Sequence, residues 1–157
     1  MSDLGRIDTI SLEGVCPIVF KGERLPFSEV WHTSLRFERG KSYLVEAASG
    51  GGKSSLCSFI FGVRNDYEGE IKFNSRDIRG VKIEEWQKIR RENLAYLPQE
   101  LMLFPELSAI DNIKLKNDVT GYKSLSQIEE WLSLLHIGRL SWRQSLFLAY
   151  FAAYERW

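Results

Sequence analysis

The sequence predicts an α/β fold with a β-rich arm in front, on three observations. Apolar and polar residues alternate over stretches of the first third. A short apolar run then leads into a cluster of glycines and a helix. From there on, strands and helices follow one another.

Ile7, Thr9 and Ser11 with Ile10 and Leu12 mark a first short strand, and Pro17 to Phe20 a second. From Thr33 to Phe37, Leu35 and Phe37 alternate with Ser34 and Arg36 before the turn residues Glu38 to Lys41. Ser42 to Ala47 reads as a short apolar strand ending at Ser49-Gly50-Gly51-Gly52. Lys53 to Phe61 is a helix, with Gly62 as its C-terminal stop. Gly69 to Asn74 is a strand ended by the turn residues Asn74 to Asp77. A polar helix runs from Glu84 to Glu92, with Trp86 and Ile89 on one face. Leu94 to Leu97 is a strand stopped by Pro98. Helices are expected at Ser108 to Leu115 and at Ser126 to Leu135, the latter with a Ser126/Glu129 capping box.

Composition removes several function classes. The chain has 157 residues with 21 Lys plus Arg against 21 Asp plus Glu, so the basic excess of a nucleic-acid binder is absent and no nucleic-acid partner is expected. The longest apolar stretch, Leu146 to Ala153, is about half of a bilayer span and reads as a buried helix. The N-terminus shows no secretory signal, and Cys16 and Cys57 suggest neither a disulfide framework nor a metal site. A cytoplasmic protein is expected.

The segment Ala47-Ala48-Ser49-Gly50-Gly51-Gly52-Lys53-Ser54 carries the chemistry. A loop that leaves a strand and enters a helix aims several backbone N–H groups at one point. The positive end of the helix dipole adds to them, so the place suits an anion. Glycines let the backbone turn tightly and approach phosphate oxygens without a Cβ in the way. Lys53 brings an ammonium to the outer phosphates and Ser54 a hydroxyl to Mg²⁺, while Ser49 to Ser55 is the run expected to line the phosphates. The pattern departs from strict form at Ala47, which stands where a glycine opens the motif, and which fits only with a negative φ.

Beyond this loop, the chain resembles ATP-binding-cassette (ABC) ATPases. The resemblance rests on the loop itself, on Tyr67 to Asn74, on Leu94-Ala95-Tyr96-Leu97-Pro98-Gln99, and on Leu103 to Ile113, in that order. It implies a P-loop NTPase fold with an antiparallel β arm (1–40 and 66–80), a P-loop core (41–65 and 81–99) and a partial helical subdomain (100–157), the later core strands being missing. It also implies ATP and Mg²⁺ as ligands. Gln99 is then the glutamine that touches Mg²⁺ and the attacking water, since an amide accepts from water and ligates metal without adding charge. An aromatic of the β arm stacks on adenine in this family; Phe20 is the candidate, with Phe27 the other at a plausible distance. The implied partners are transmembrane transporter subunits and a second cassette in a homo- or heterodimer. The implied location is the cytoplasmic face of the cell membrane.

The resemblance runs from about Val30 to Ile137 and fails beyond it. Where a Leu-Ser-Gly-Gly-Gln signature belongs, the chain reads Leu140-Ser141-Trp142-Arg143-Gln144. No Walker B aspartate, catalytic glutamate or switch histidine is assigned, so hydrolysis by this chain is doubtful and a truncated or degenerate cassette is expected. The function implied is an ATP-binding subunit of an ABC-type transporter. The alternative is a non-catalytic nucleotide-binding regulator on the same fold. A small-molecule kinase fits less well, because it gives Pro98-Gln99 no role, and neutral charge disfavours a DNA-repair cassette.

Overall fold

The computed structural model describes residues 5–22, 28–98, 102–104 and 106–134. These fall into two units, one up to Tyr96 and one from Leu97 onward. The first unit is built on a four-stranded antiparallel sheet. Its strands are β1 (Thr9–Pro17), β2 (Ser34–Glu38), β3 (Tyr67–Phe73) and β4 (Arg76–Asp77), in the order β2-β1-β3-β4. Helices α1 (Lys53–Ile60) and α2 (Ile83–Glu92) complete it.

Period-two patterning sets the face that is covered. On β3, Tyr67, Ile71 and Phe73 are buried while Glu68 and Lys72 point the other way. Leu12, Val15 and Cys16 of β1, Leu56 and Phe59 of α1, and Ile89 of α2 belong to the same apolar cluster. Two ring contacts tie the helices to the sheet. Phe59 meets Tyr67 with centroids 4.9 Å apart, and Trp86 meets Phe73 edge-on at 5.8 Å. Phe59 and Phe73 are fully buried, and truncating either to Ala costs about 3–5 kcal/mol.

The sheet is continuous where the sequence suggested two strands. β1 runs through to Pro17, and the expected second strand, Pro17 to Phe20, is instead a 3₁₀ turn over Ile18–Phe20. The register against β3 shifts between Glu13 and Cys16, which is a bulge. Gly69 lies opposite with φ +84°, and a Cβ there would stand 2.5 Å from the Gly14 and Glu13 carbonyl oxygens. The β3–β4 turn is made by Asn74 at φ 56°. Its side-chain oxygen accepts from the N–H groups of Asp8 and Thr9, at 2.9 and 3.1 Å.

The strands expected at Ser42 to Ala47 and Leu94 to Leu97 are absent. Residues 41–48 and 94–98 carry no strand pairing among the described residues. Along 41–48 most side chains face water, with Leu44 83% exposed, while Val45 is half-buried against the main apolar cluster. Tyr43 is held, since its hydroxyl accepts from the Glu38 N–H at 3.0 Å and its ring meets Phe37 edge-on at 5.0 Å. An apolar run has strand propensity, but only a neighbour can satisfy its backbone groups.

In the second unit, α3 (Ala109–Thr120) and α4 (Leu125–Leu134) form a helical hairpin. Ile128 and Leu132 are buried against Ala109, Ile110 and Ile113. Ser108 caps α3 by accepting from the Asp111 N–H at 3.2 Å, and Gly121 ends it at φ 59°, a turn and more beyond the expected Leu115. At the start of α4 the capping pair is Ser124 with Gln127, not Ser126 with Glu129. The Gln127 side chain accepts from the Ser124 N–H at 3.0 Å, and the Ser124 hydroxyl from the Gln127 N–H at 3.3 Å.

Gly69→Ala is expected to destabilise the protein by more than about 2 kcal/mol, because positive φ and a backbone clash act together. Gly80 has open space around it, so Gly80→Ala is the control and is expected to stay within about 0.5 kcal/mol of the parent. Equilibrium urea unfolding of the two variants compares them.

Candidate functional site

The glycine loop enters α1 through two left-handed residues, Gly50 at φ 81° and Gly52 at φ 87°. A bond from the Gly51 N–H to the Ala48 carbonyl, 3.1 Å, closes a turn over residues 48–51. Gly52 is the N-cap of α1, so no side chain caps the helix, and its first turn holds no acidic residue. The positive end of the helix is therefore uncompensated by any side chain of its own. At the other end, Arg90 of α2 donates to the Phe61 and Gly62 carbonyls at 3.1 and 2.9 Å, a cation at a helix C-terminus.

Ala47 fits as its position requires. The described non-glycine residues with positive φ are His32 and Asn74, so Ala47 is not strained. Its methyl has a consequence for the loop. A Cβ on Gly51 would stand 2.8 Å from the Ala47 Cβ and 3.1 Å from the Ala48 oxygen. The Ala47 methyl and the Ala48 carbonyl thus both call for glycine at 51, the methyl more closely.

The Lys53 ammonium folds back over the loop and donates to the carbonyls of Ala47, at 2.5 Å, and Ala48, at 3.0 Å. Among the described residues it has no carboxylate partner. Ser49, Gly50, Lys53 and Ser54 are exposed, and Gly51, Gly52 and Ser55 half-buried. The Ser55 hydroxyl accepts from Arg64 at 3.0 Å. Arg64 in turn forms a two-point pair with Asp66, which holds the Asp66 carboxyl below its ordinary range. Ser55 Oγ is therefore committed to Arg64 in this structure, whereas Ser54 Oγ faces solvent.

Of the other residues singled out from sequence, Phe20 comes to the loop. Its ring packs against the main apolar cluster, with Cε2 3.2 Å from where a Gly52 Cβ would be. Gln99 and Phe27 lie outside the described residues, as do the segments 138–145 and 146–153.

One residue at the loop was missed. Trp31, 6% exposed, donates from its indole Nε1–H to the Gly51 carbonyl at 3.0 Å. Its ring also lies over Gly52, where a Cβ would fall 2.7 Å from Cζ2. The one local signal was Ser28, three positions ahead, whose hydroxyl accepts from the Trp31 N–H at 2.9 Å in a turn.

Gly51→Ala is expected to lower stability, and Ala47→Gly to restore part of the loss. A double-mutant cycle read by thermal or urea unfolding should give a coupling of at least about 0.5 kcal/mol. Additive effects would show that the Ala47 methyl is not what excludes a side chain at 51.

The family described as ABC transporter matches residues 30–147. Curated relatives include the ABC transporter ATP-binding protein YtrE of Bacillus subtilis, 26% identical over 74% of this chain and 51% of its own length. The lipoprotein-releasing system ATP-binding protein LolD 1 of Chlorobium chlorochromatii is 26% identical over 65% of this chain and 42% of its own. The xylose import ATP-binding protein XylG of Escherichia coli is 34% identical over 57% of this chain and 17% of its own. The chain thus spans about half or less of the length of these relatives. A solved structure of a dimeric bacterial ABC transporter cassette matches at TM-score 0.58 and 20% identity, covering 89% of this chain and 67% of that one. That match shows the fold to be that of an ABC cassette, a P-loop NTPase fold of the α/β class. The chain belongs to the ABC transporter family.

Proposed function

We propose that this chain is an ATP-binding part of an ABC-type transporter, holding Mg·ATP by its phosphates on the run Ser49 to Ser55. The observation that carries the reading is the mouth of α1. A helix N-terminus without side-chain cap or acid, two left-handed glycines and an ammonium held only by carbonyls meet in one short loop. An anion with several oxygens suits that donor set, and a cation does not. On phosphate binding, the Lys53 ammonium exchanges backbone carbonyls for phosphate oxygens, a stronger charge-assisted pairing.

The fit to Mg²⁺ comes through Ser54, whose exposed hydroxyl would be the group of this loop that holds the ion. Among the described residues no three His, Cys, Asp or Glu side chains could hold a metal by themselves. The ion would therefore arrive with the nucleotide and supply charge neutralisation there. Gln99 completes the reading as a further ligand to the metal and to water, and Phe20, beside Gly52, as the face for adenine. We assign nucleotide binding to this loop; phosphoryl transfer would in addition need carboxylates that position metal and water.

For partners, the reading takes transmembrane subunits and a second cassette, with the chain at the inner face of the cell membrane. Among the described residues no helix is long and apolar enough to cross a membrane. Met102 and Phe104 are 78% and 57% exposed, and they are the apolar anchors that such a docking surface would use. The Asn112 side chain fixes the Phe104 backbone at both its N–H and its carbonyl, at 2.9 and 3.0 Å, so the anchor is presented on a held loop.

Calorimetric titration with Mg·ATP tests the assignment. Lys53→Ala is expected to weaken binding by about 1.5–3 kcal/mol, the worth of a hydrogen bond to a charged group. Equal affinity in parent and variant would sink the loop as the site.

A further inference from the structure

We propose that Trp31 is the positioning residue of the phosphate loop. By bonding the Gly51 carbonyl, it fixes the Gly51–Gly52 peptide so that the Gly52 N–H is presented to phosphate. The proposal rests on the reading of the loop as the ATP site, and adds a residue to which neither sequence pattern nor family resemblance gave a role.

The geometry carries it in three steps. A trans peptide is planar, with C=O and N–H pointing in opposite directions. The bond from the Trp31 indole to the Gly51 carbonyl, 3.0 Å, therefore turns the Gly52 N–H away from the indole. That N–H belongs to the residue opening α1, so it adds to the donors at the positive end of the helix. Glycine on both sides of a peptide gives its plane little resistance to flipping, and a flipped plane would aim the Gly51 carbonyl at an incoming anion.

The indole can restrain the loop only if it is itself held, and it is. The Trp31 N–H donates to Ser28 Oγ at 2.9 Å. Immediately after it, the His32 N–H donates to the Val15 carbonyl at 2.9 Å, and the Thr33 carbonyl accepts from the Gly14 N–H at 2.9 Å. These bonds fasten residues 31–33 to β1 at its bulge. The ring is 6% exposed and lies against Gly52, where any side chain would meet it at 2.7 Å. The β arm thereby sets the plane of one peptide in the loop, with Gly52 required on the loop side and tryptophan, for its N–H, on the arm side.

The test uses Trp31→Phe, which keeps an aromatic ring and removes the donor, beside the parent chain and Lys53→Ala. Mg·ATP affinity is measured by calorimetry, folding by thermal melting, and the Trp31 indole N–H by ¹H–¹⁵N spectra with solvent-exchange rates. The expected result is about tenfold weaker Mg·ATP binding in Trp31→Phe with a cooperative melt retained, one neutral hydrogen bond's worth. In the parent, the indole N–H is expected to exchange slowly and its signal to move when Mg·ATP is added. Parental affinity in Trp31→Phe, with binding lost in Lys53→Ala, overturns the proposal and leaves the phosphate-loop reading standing. A parent chain that does not bind Mg·ATP overturns both. Should Trp31→Phe fail to fold, the parent's indole decides: slow exchange with a response to Mg·ATP supports the proposal, and fast exchange or no response overturns it.

Discussion

The pairing of β1 on both its edges is the constraint from which the rest of the first unit follows. Every backbone N–H and C=O taken out of water needs a partner, and β1 finds them in β2 on one side and β3 on the other. Both partners run antiparallel, so they are supplied by chain that turns back on itself. The bulge in β1 then bends the strand where residues 31–33 bond to it, which puts Trp31 under the glycine loop. β3 carries Tyr67 and Phe73 to α1 and α2. The loop that opens α1 is thus seated on an antiparallel arm.

That seating accounts for an otherwise odd combination. The run before the loop, residues 41–48, is mostly exposed and has no strand partner among the described residues, yet α1 starts at a defined residue with defined glycine geometry. Two restraints suffice: Phe59 and Leu56 bury α1 in the cluster shared with β1 and β3, and Trp31 bonds the loop itself. α2 closes the far end, where Trp86 fills the space over Gly62 and Arg90 bonds the Phe61 and Gly62 carbonyls just past α1. Surface pairs add to this modestly. Lys72, bonded to Glu70 and Glu13 on the open face of the sheet, has its ammonium pushed up to about 12. Glu70 is held below its usual range by the same contact. The Lys72 contribution is complete below its ordinary value of 10.5 and fades as pH rises through the raised one; the Glu70 contribution is complete above 4.5 and fades in acid.

The sequence was most informative where period or punctuation was unambiguous. β2, β3, α1 and α2 follow from alternation, from helical spacing, and from Gly62 and Asn74 as stops. The family also was legible, because four motifs stand in a fixed order. What failed shares one cause: a local pattern does not say who the neighbours are. Pro17 to Phe20 and Ser42 to Ala47 are both short apolar runs, and period cannot assign such runs. One became a 3₁₀ turn with Ile18 and Val19 exposed, and the other an unpaired segment. Ser124/Gln127 and Ser126/Glu129 have the same spacing, and only backbone geometry separates them. Trp31 was invisible as a site residue because its role depends on a carbonyl twenty positions away, which no spacing encodes.

The central claim is that α1 and its glycine loop are held by the antiparallel arm, without a strand at Ser42 to Ala47. Native-state hydrogen exchange on the purified chain tests it most directly. Slow exchange across β1, β3 and α1, alongside exchange close to that of an unstructured peptide over residues 42–47, is the result predicted. Protection over 42–47 equal to that of β1 and β3 would contradict it, since those amides would then have a partner strand that this account denies them.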